Sequence, residues 1–384
     1  MSAGVSTSSS VWGTVDGQEV HRIVLDTTEG FSVSFATYGA TLLSVRSGDK
    51  DGKIEEVSLQ YDDLEGVVAG NAYYGSTVGR VCNRIARGRF SVDGEEFSLD
   101  ANNGPNCLHS GRTGFDKAVW RHELVADGVR FEHCSPHGEG GFPGALEVKV
   151  TYSLKRGDGP GTGELHTKME ATYVAGSTAS GKKEVPTPVN LTNHAYWNLS
   201  GNRKRSVRDH VLTMRCDRFL PLDANQVKYS TIPTGELAPV RGTFFDFSEE
   251  VSVGAAIDGI GGDPPGLDHC LVRNGTLDDG QAERATVSEE EGDALPMIAR
   301  LREPESGRTL EVFGSQPSVQ VYTANFLSAD PDDKPHARHY GLCLETQHFP
   351  DAVNRREWAN SVLLQPGATY LERAKHVFTA VSER

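Results

Sequence analysis

Short alternating segments, broken by glycine, aspartate and asparagine, run along most of this chain. In Gly30-Phe-Ser-Val-Ser-Phe-Ala-Thr37 every second residue is apolar, and Arg89-Phe-Ser-Val-Asp-Gly-Glu-Glu-Phe-Ser-Leu99 repeats the pattern on both sides of Asp93-Gly94. A period of two sends successive side chains to opposite faces of a strand. An Asp-Gly pair accepts the positive φ angles of a tight turn, so the second segment predicts a hairpin. Further strands are predicted at Ala145–Leu154, Glu164–Tyr173, Val211–Arg215, Arg308–Phe313, Ser318–Phe326 and Gly341–Thr346. Helical spacing is confined to Tyr61–Val68, Ser248–Ala256 and a turn near Ala352–Trp358. There is no alternation of strands with helices and no G-x-x-x-x-G-K, which points away from a nucleotide-binding fold. The expectation is an all-β protein, a large antiparallel β-sandwich with few short helices.

Irregular segments interrupt the strands. Arg156–Gly163 and Ala175–Lys183 are rich in Gly and Ser, Asp278–Asp293 is acidic, and Asp330–His339 is charged with two prolines. Strand pattern resumes on both sides of each, so they read as surface loops. Met1–Ser10 carries neither a basic segment nor an apolar core and reads as a Ser-rich tail, not a secretory signal. The expected organisation is therefore a disordered tail over 1–10 and one sandwich domain over 11–384.

Composition narrows the partners. The 384 residues are 37% hydrophobic with 42 glycines, enough for a large core. With 38 Lys+Arg against 53 Asp+Glu the net charge is −15, and no basic run is present to neutralise phosphates, so nucleic acid is not an expected partner. No apolar stretch approaches the length of a membrane span. Six scattered cysteines without a C-x-x-C pair suit reduced thiols, and with them a cytoplasmic location. The histidines show no H-E-x-x-H or similar spacing, so neither a metal nor another cofactor is expected.

Four loop-rich clusters carry candidate chemistry. Gly79-Arg80-Val-Cys-Asn83-Arg84-Ile85 sets two arginines and an asparagine between a glycine and a strand, and Asn106-Cys-Leu-His109-Ser-Gly111 offers an imidazole in a turn. In Pro188–Leu199, residues Asn190, Thr192, His194, Tyr196 and Asn198 share one face if the segment stays extended. Such a polar stripe needs partners, as a cleft or as an internal network, while Trp197 is expected in the core. Gly341–Ala352 runs an apolar strand into Glu345, where partial desolvation raises a carboxylate toward the range of a useful base. Asp268-His269 and the pair Gln320/Tyr322 on one strand face add two smaller features.

Taken in order, G-R-x-x-N-R-I, N-x-L-H-x-G, N-x-T-x-H-x-Y-x-N-L, an Asp-His before a strand, Q-x-Y and E-T-Q-x-x-P-D-A resemble the aldose 1-epimerase (galactose mutarotase) family over about Tyr73 to Pro366. The resemblance implies the galactose mutarotase-like sandwich and a monosaccharide substrate whose α and β anomers interconvert through ring opening and reclosure. It implies Glu345 as general base at the anomeric hydroxyl and His194 as general acid at the ring oxygen. His109 resembles a second site imidazole, and Asn83, Arg84, Asp268 and Gln320 resemble ligands for sugar hydroxyls. Ser110 and Ser318 stand where the family often has glycine. The chain is expected to be a monomer or weak dimer. Two other functions fit the same fold: a hexose-6-phosphate 1-epimerase, which would need Arg80, Arg84 or Arg87 to clamp phosphate, and a non-catalytic sugar-binding protein, which needs no acid–base pair.

Overall fold

The alternating segments pair into antiparallel sheets whose apolar faces meet. In the computed structural model residues 4–381 are described, apart from 179–182, 224–231, 277–294, 331–332 and 334–335. A nine-stranded sheet is built around the long hairpin of Ala145–Arg156 and Gly163–Val174, flanked on one side by Gly128–Ser135 and on the other by Thr369–Ala380 and Arg308–Gly314. A five-stranded sheet from the N-terminal end and a six-stranded sheet centred on Leu342–Gln347 and Ser318–Tyr322 pack against it. Phe35 stacks on Tyr152 at 4.5 Å between ring centroids, and Trp197 meets Phe378 at 5.5 Å, so each smaller sheet has its own aromatic contact with the large one. One apolar cluster runs from Ile23 to Phe378 through all three sheets. The large β-sandwich expected from the sequence is the fold observed.

Most predicted strands lie within a residue or two of their observed bounds. In the Asp93-Gly94 hairpin Phe90 pairs with Phe97, and both turn residues take positive φ. The strand predicted over Ser318–Phe326 stops at Tyr322, because the chain turns through left-handed Ala324 and brings Phe326 and Leu327 to the rim of a cavity. Helices form at Leu64–Ala69 and Val253–Ile260. The second begins later than predicted because Ser252 is its cap, while Ser248 closes a local turn onto Asp246.

The disordered tail over 1–10 is a correction. Val5–Val15 is a strand, paired with Gln18–Thr27 from Val5 opposite Thr27 to Val15 opposite Gln18. Most of its serines are exposed on a sheet edge, where backbone pairing supplies the order and no apolar alternation is needed to announce it. Residues 1–3 lie outside the described residues, as does the whole acidic segment Asp278–Asp293. Ala175–Lys183 and Asp330–His339 are described in part. Arg156–Gly163 is a docked hairpin connection: Gly48 N donates to Gly161 O at 2.9 Å.

Candidate active site

The chemistry is set by strand register. In Leu342–Gln347, Leu342 and Leu344 enter the core while Cys343 and Glu345 face the other way. Gln320 lies opposite Glu345, Tyr322 opposite Cys343, and Asp268 opposite Tyr322 on the next strand. Tyr196 pairs with Cys343 from the other side. The period of two thus gathers Tyr196, Glu345, Gln320, Tyr322 and Asp268 on one face of the six-stranded sheet, and Val319, Val321 and Leu271 behind it.

That face floors a cavity of about 470 Å³, lined by all seven residues singled out from the sequence: Asn83, Arg84, His109, His194, Asp268, Gln320 and Glu345. Glu345 is 3% exposed and His194 5%. Glu345 Oε1 stands 3.7 Å from His194 Nε2, while Glu345 Oε2 and Gln320 Oε1 have no hydrogen-bond partner among the described residues. Two buried acceptors at a cavity floor are groups that a hydroxylated ligand can satisfy. Gln320 Nε2 donates to Asp268 Oδ1 at 2.7 Å, and Arg84 stands 3.9 Å from the other oxygen of that carboxylate.

His109 and Asn83 come from the opposite wall. Both take left-handed backbone, and they hold each other: His109 N donates to Asn83 O at 2.9 Å, and Asn83 N donates to His109 Nδ1 at 3.2 Å. With Nδ1 accepting, a neutral His109 carries its proton on Nε2. Burial, helped by the facing His194 and by Arg84 and Lys117, keeps His109 well below the ordinary imidazole pKa, so it is neutral. Arg84 Nε donates to Asn103 Oδ1 at 3.0 Å, which fixes the guanidinium at the cavity wall.

Electrostatics couple Glu345 and His194. Burial raises Glu345 well above the carboxylate range, with the Asp268 charge adding to it and Arg84 opposing. Burial lowers His194 to about 4, its own backbone carbonyl opposing this and Arg84 reinforcing it. Between those limits the pair holds one proton. Desolvation favours that proton on Glu345 with His194 neutral, and the 3.7 Å contact favours its transfer to the imidazole, the two forms having the same net charge.

Cys343 Sγ lies 3.6 Å from His194 Nδ1, and these two side chains with Glu345 bring three ligand-type atoms within 4.8 Å. Burial raises the Cys343 thiol well above its usual pKa, the Glu345 and Asp268 charges adding, so it stays protonated.

The stripe at Asn190–Asn198 serves both ends suggested by its pattern. His194 and Tyr196 line the cavity. Thr192 Oγ1 donates to Thr346 O, Asn190 Nδ2 to His348 O, and Asn198 Nδ2 to Arg205 O and Tyr340 O, tying the segment to its neighbours. Trp197 is in the core. Arg80 does not reach the cavity: its guanidinium is buried on Pro143 O, Gly144 O and Ser135 Oγ, and burial lowers it to about 10. Gly79 beside it is required by contact, since a Cβ there would stand 2.3 Å from Phe115. Tyr73, Asn71, Asn103, Phe326 and Leu327 also line the cavity and carry no motif of their own. The signals that could have marked them are the Tyr73-Tyr74-Gly75 and Asn102-Asn103-Gly104 turns.

The chain resembles known proteins along most of its length. A family model described as aldose 1-epimerase matches residues 21–375. The chain is 38% identical to mouse galactose mutarotase, covering 95% of this chain and 96% of that one, and 40% identical to the human galactose mutarotase over 88% of each. A crystal structure of a GalM/aldose epimerase homologue from C. elegans superposes with a TM-score of 0.75 at 26% identity, covering 92% of this chain and 97% of that one.

Proposed function

The chain belongs to the aldose 1-epimerase family, and from that premise we propose that its cavity takes a free aldose and interconverts the α and β anomers with Glu345 and His194 as the proton-transfer pair. The observation that carries the residue assignment is the buried Glu345–His194 contact of 3.7 Å at the floor of the cavity, with one carboxylate oxygen unpartnered.

The reaction begins from the form with carboxylate and imidazolium. Glu345 takes the proton of the anomeric hydroxyl, the C1–O5 bond breaks as C1 becomes an aldehyde, and His194 delivers its proton to O5. The single proton of the pair has moved from His194 to Glu345. Rotation about C1–C2 presents the other face of the carbonyl. The O5 hydroxyl then attacks C1, His194 takes back the O5 proton, and Glu345 protonates the new anomeric oxygen. Protons balance over the cycle, and each positioned transfer is worth about 10²–10⁴-fold. Neutral His109, Asn83, Gln320 and the Arg84–Asp268 pair supply donors and acceptors for the hydroxyls.

Free sugars fit better than their 6-phosphates. Among the described residues lining the cavity Arg84 is the one permanent cation, and Asp268 and Asn103 engage it. Arg80 is spent on carbonyls, and Arg87 does not line the cavity. A sugar-binding protein without turnover would gain nothing from desolvating a carboxylate against an imidazole. Cytoplasmic placement belongs to the same proposal, supported by six free thiols, five of them buried. Polarimetry of α-galactose and α-glucose beside their 6-phosphates tests the substrate class. Acceleration of the free sugars is the expected result, and faster turnover of the phosphates would reverse the assignment.

A further inference from the structure

We propose that Tyr73 is a positioning residue for the reaction, its ring locking His194 and His109 into one arrangement from a loop that is itself bonded to the His194 backbone. The proposal rests on the assignment of His194 as the proton-transfer imidazole.

Three rings form a closed set. Tyr73 lies 4.6 Å from His109 and 5.8 Å from His194 between centroids, and the two imidazoles meet edge-on at 5.3 Å. Tyr73 and His194 are inclined by only 19°, and Tyr196 stacks on His194 as well, at 5.0 Å and 17°. Contacts with two nearly parallel rings fix the plane of the imidazole and hence the direction of Nε2 toward Glu345. Tyr73 takes left-handed backbone, φ 57°, inside a turn closed by Ser76 N donating to Tyr73 O. Immediately after it, Gly75 N donates to His194 O and His194 N donates to Ser76 O, each at 2.9 Å, and Asn193 Nδ2 donates to Gly75 O. The loop cannot shift without shifting His194. Among the described residues the Tyr73 hydroxyl has no hydrogen-bond partner, so the ring makes the contacts.

The charges around the set define its pH behaviour. His194 is faced by Glu345 and the protonated Cys343 from one strand, by Arg84, and by the rings of Tyr73, His109 and Tyr196. His109 is faced by His194, Arg84 and Lys117. Lys117 is paired with buried Asp116 at 2.9 Å and lies 5.4 Å from the Tyr73 ring centroid. The ammonium thus packs against the Tyr73 ring beside the two imidazoles.

The test compares Tyr73→Ala, Tyr73→Leu and Tyr73→Phe by anomer-exchange NMR across pH, with the histidine ring signals of ¹⁵N-labelled protein read in parallel. Removing the ring should lower kcat by roughly ten- to a hundredfold, the loss expected when a reacting group is misplaced by about 1 Å. KM should change little, and the acid limb should move to higher pH as a hydrated His194 regains proton affinity. Tyr73→Leu retains an apolar side chain in the loop without the flat ring and should behave like Tyr73→Ala, which leaves a readable variant if alanine unfolds the loop. Tyr73→Phe should restore wild-type kcat. The proposal is overturned by wild-type kcat and limbs in the leucine variant, or by a phenylalanine variant as slow as the leucine one. The histidine titrations report the effect of Tyr73 even if His194→Asn proves fully active, an outcome that would remove the acid–base reading instead.

Discussion

Glu345 and His194 share one proton, and the pH response of the enzyme follows from where each of them titrates. A second proton joins the pair only at low pH, because burial lowers His194 to about 4. The last proton leaves only well above the usual carboxylate range, because burial raises Glu345. With Glu345 and His194 as the proposed proton-transfer pair, activity needs the one-proton form, so kcat should trace a broad bell with its acid limb low and its alkaline limb displaced upward. In His194→Asn only Glu345 titrates, and as a base it must be ionised. The residual rate should then rise with pH through the elevated Glu345 pKa and level off. Rate–pH profiles corrected for the uncatalysed reaction check this, and an alkaline fall persisting in the variant would place the acid elsewhere.

The strand Leu342–Gln347 shows how one element serves two purposes. Its leucines belong to the core shared with the nine-stranded sheet, and its alternate residues belong to the cavity. Leu344→Ala should cost about 2–5 kcal/mol of stability, as cavity-forming core truncations do, seen as a lowered urea midpoint, with KM unchanged in the folded fraction. Alternation was legible here, in Ser318–Tyr322 and in the Asp93-Gly94 hairpin, because each strand has one apolar and one polar face. The polar face could be read directly: Glu345, Gln320 and Asp268 stood out as hydrogen-bonding residues on otherwise apolar strands. Tyr73 could not be read this way. Its role comes from a left-handed turn and from backbone bonds to a residue over a hundred positions away, neither of which leaves a periodic trace. The edge strand Val5–Val15 was hidden for a related reason, since its exposed serines are ordered by backbone pairing with no core face of their own.

At the scale of the whole molecule, the six-stranded sheet, a two-stranded ribbon and the loops between strands bring residues from Asn71 to Glu345 around one cavity. The motifs are far apart along the chain because antiparallel strands that neighbour in space return from distant turns. The net charge of −15 has little part in the proposed chemistry: a neutral sugar needs hydrogen bonds, and Glu345, the base we propose, is buried. The salt dependence of KM for galactose should therefore be weak. The most direct measurement is the anomer exchange rate of galactose for the wild type and Glu345→Gln at equal concentration, with circular dichroism confirming the fold of each. The account predicts a loss of about 10²–10⁴-fold in the glutamine variant, the worth of a positioned proton transfer. A folded Glu345→Gln protein that exchanges anomers as fast as the wild type would contradict it.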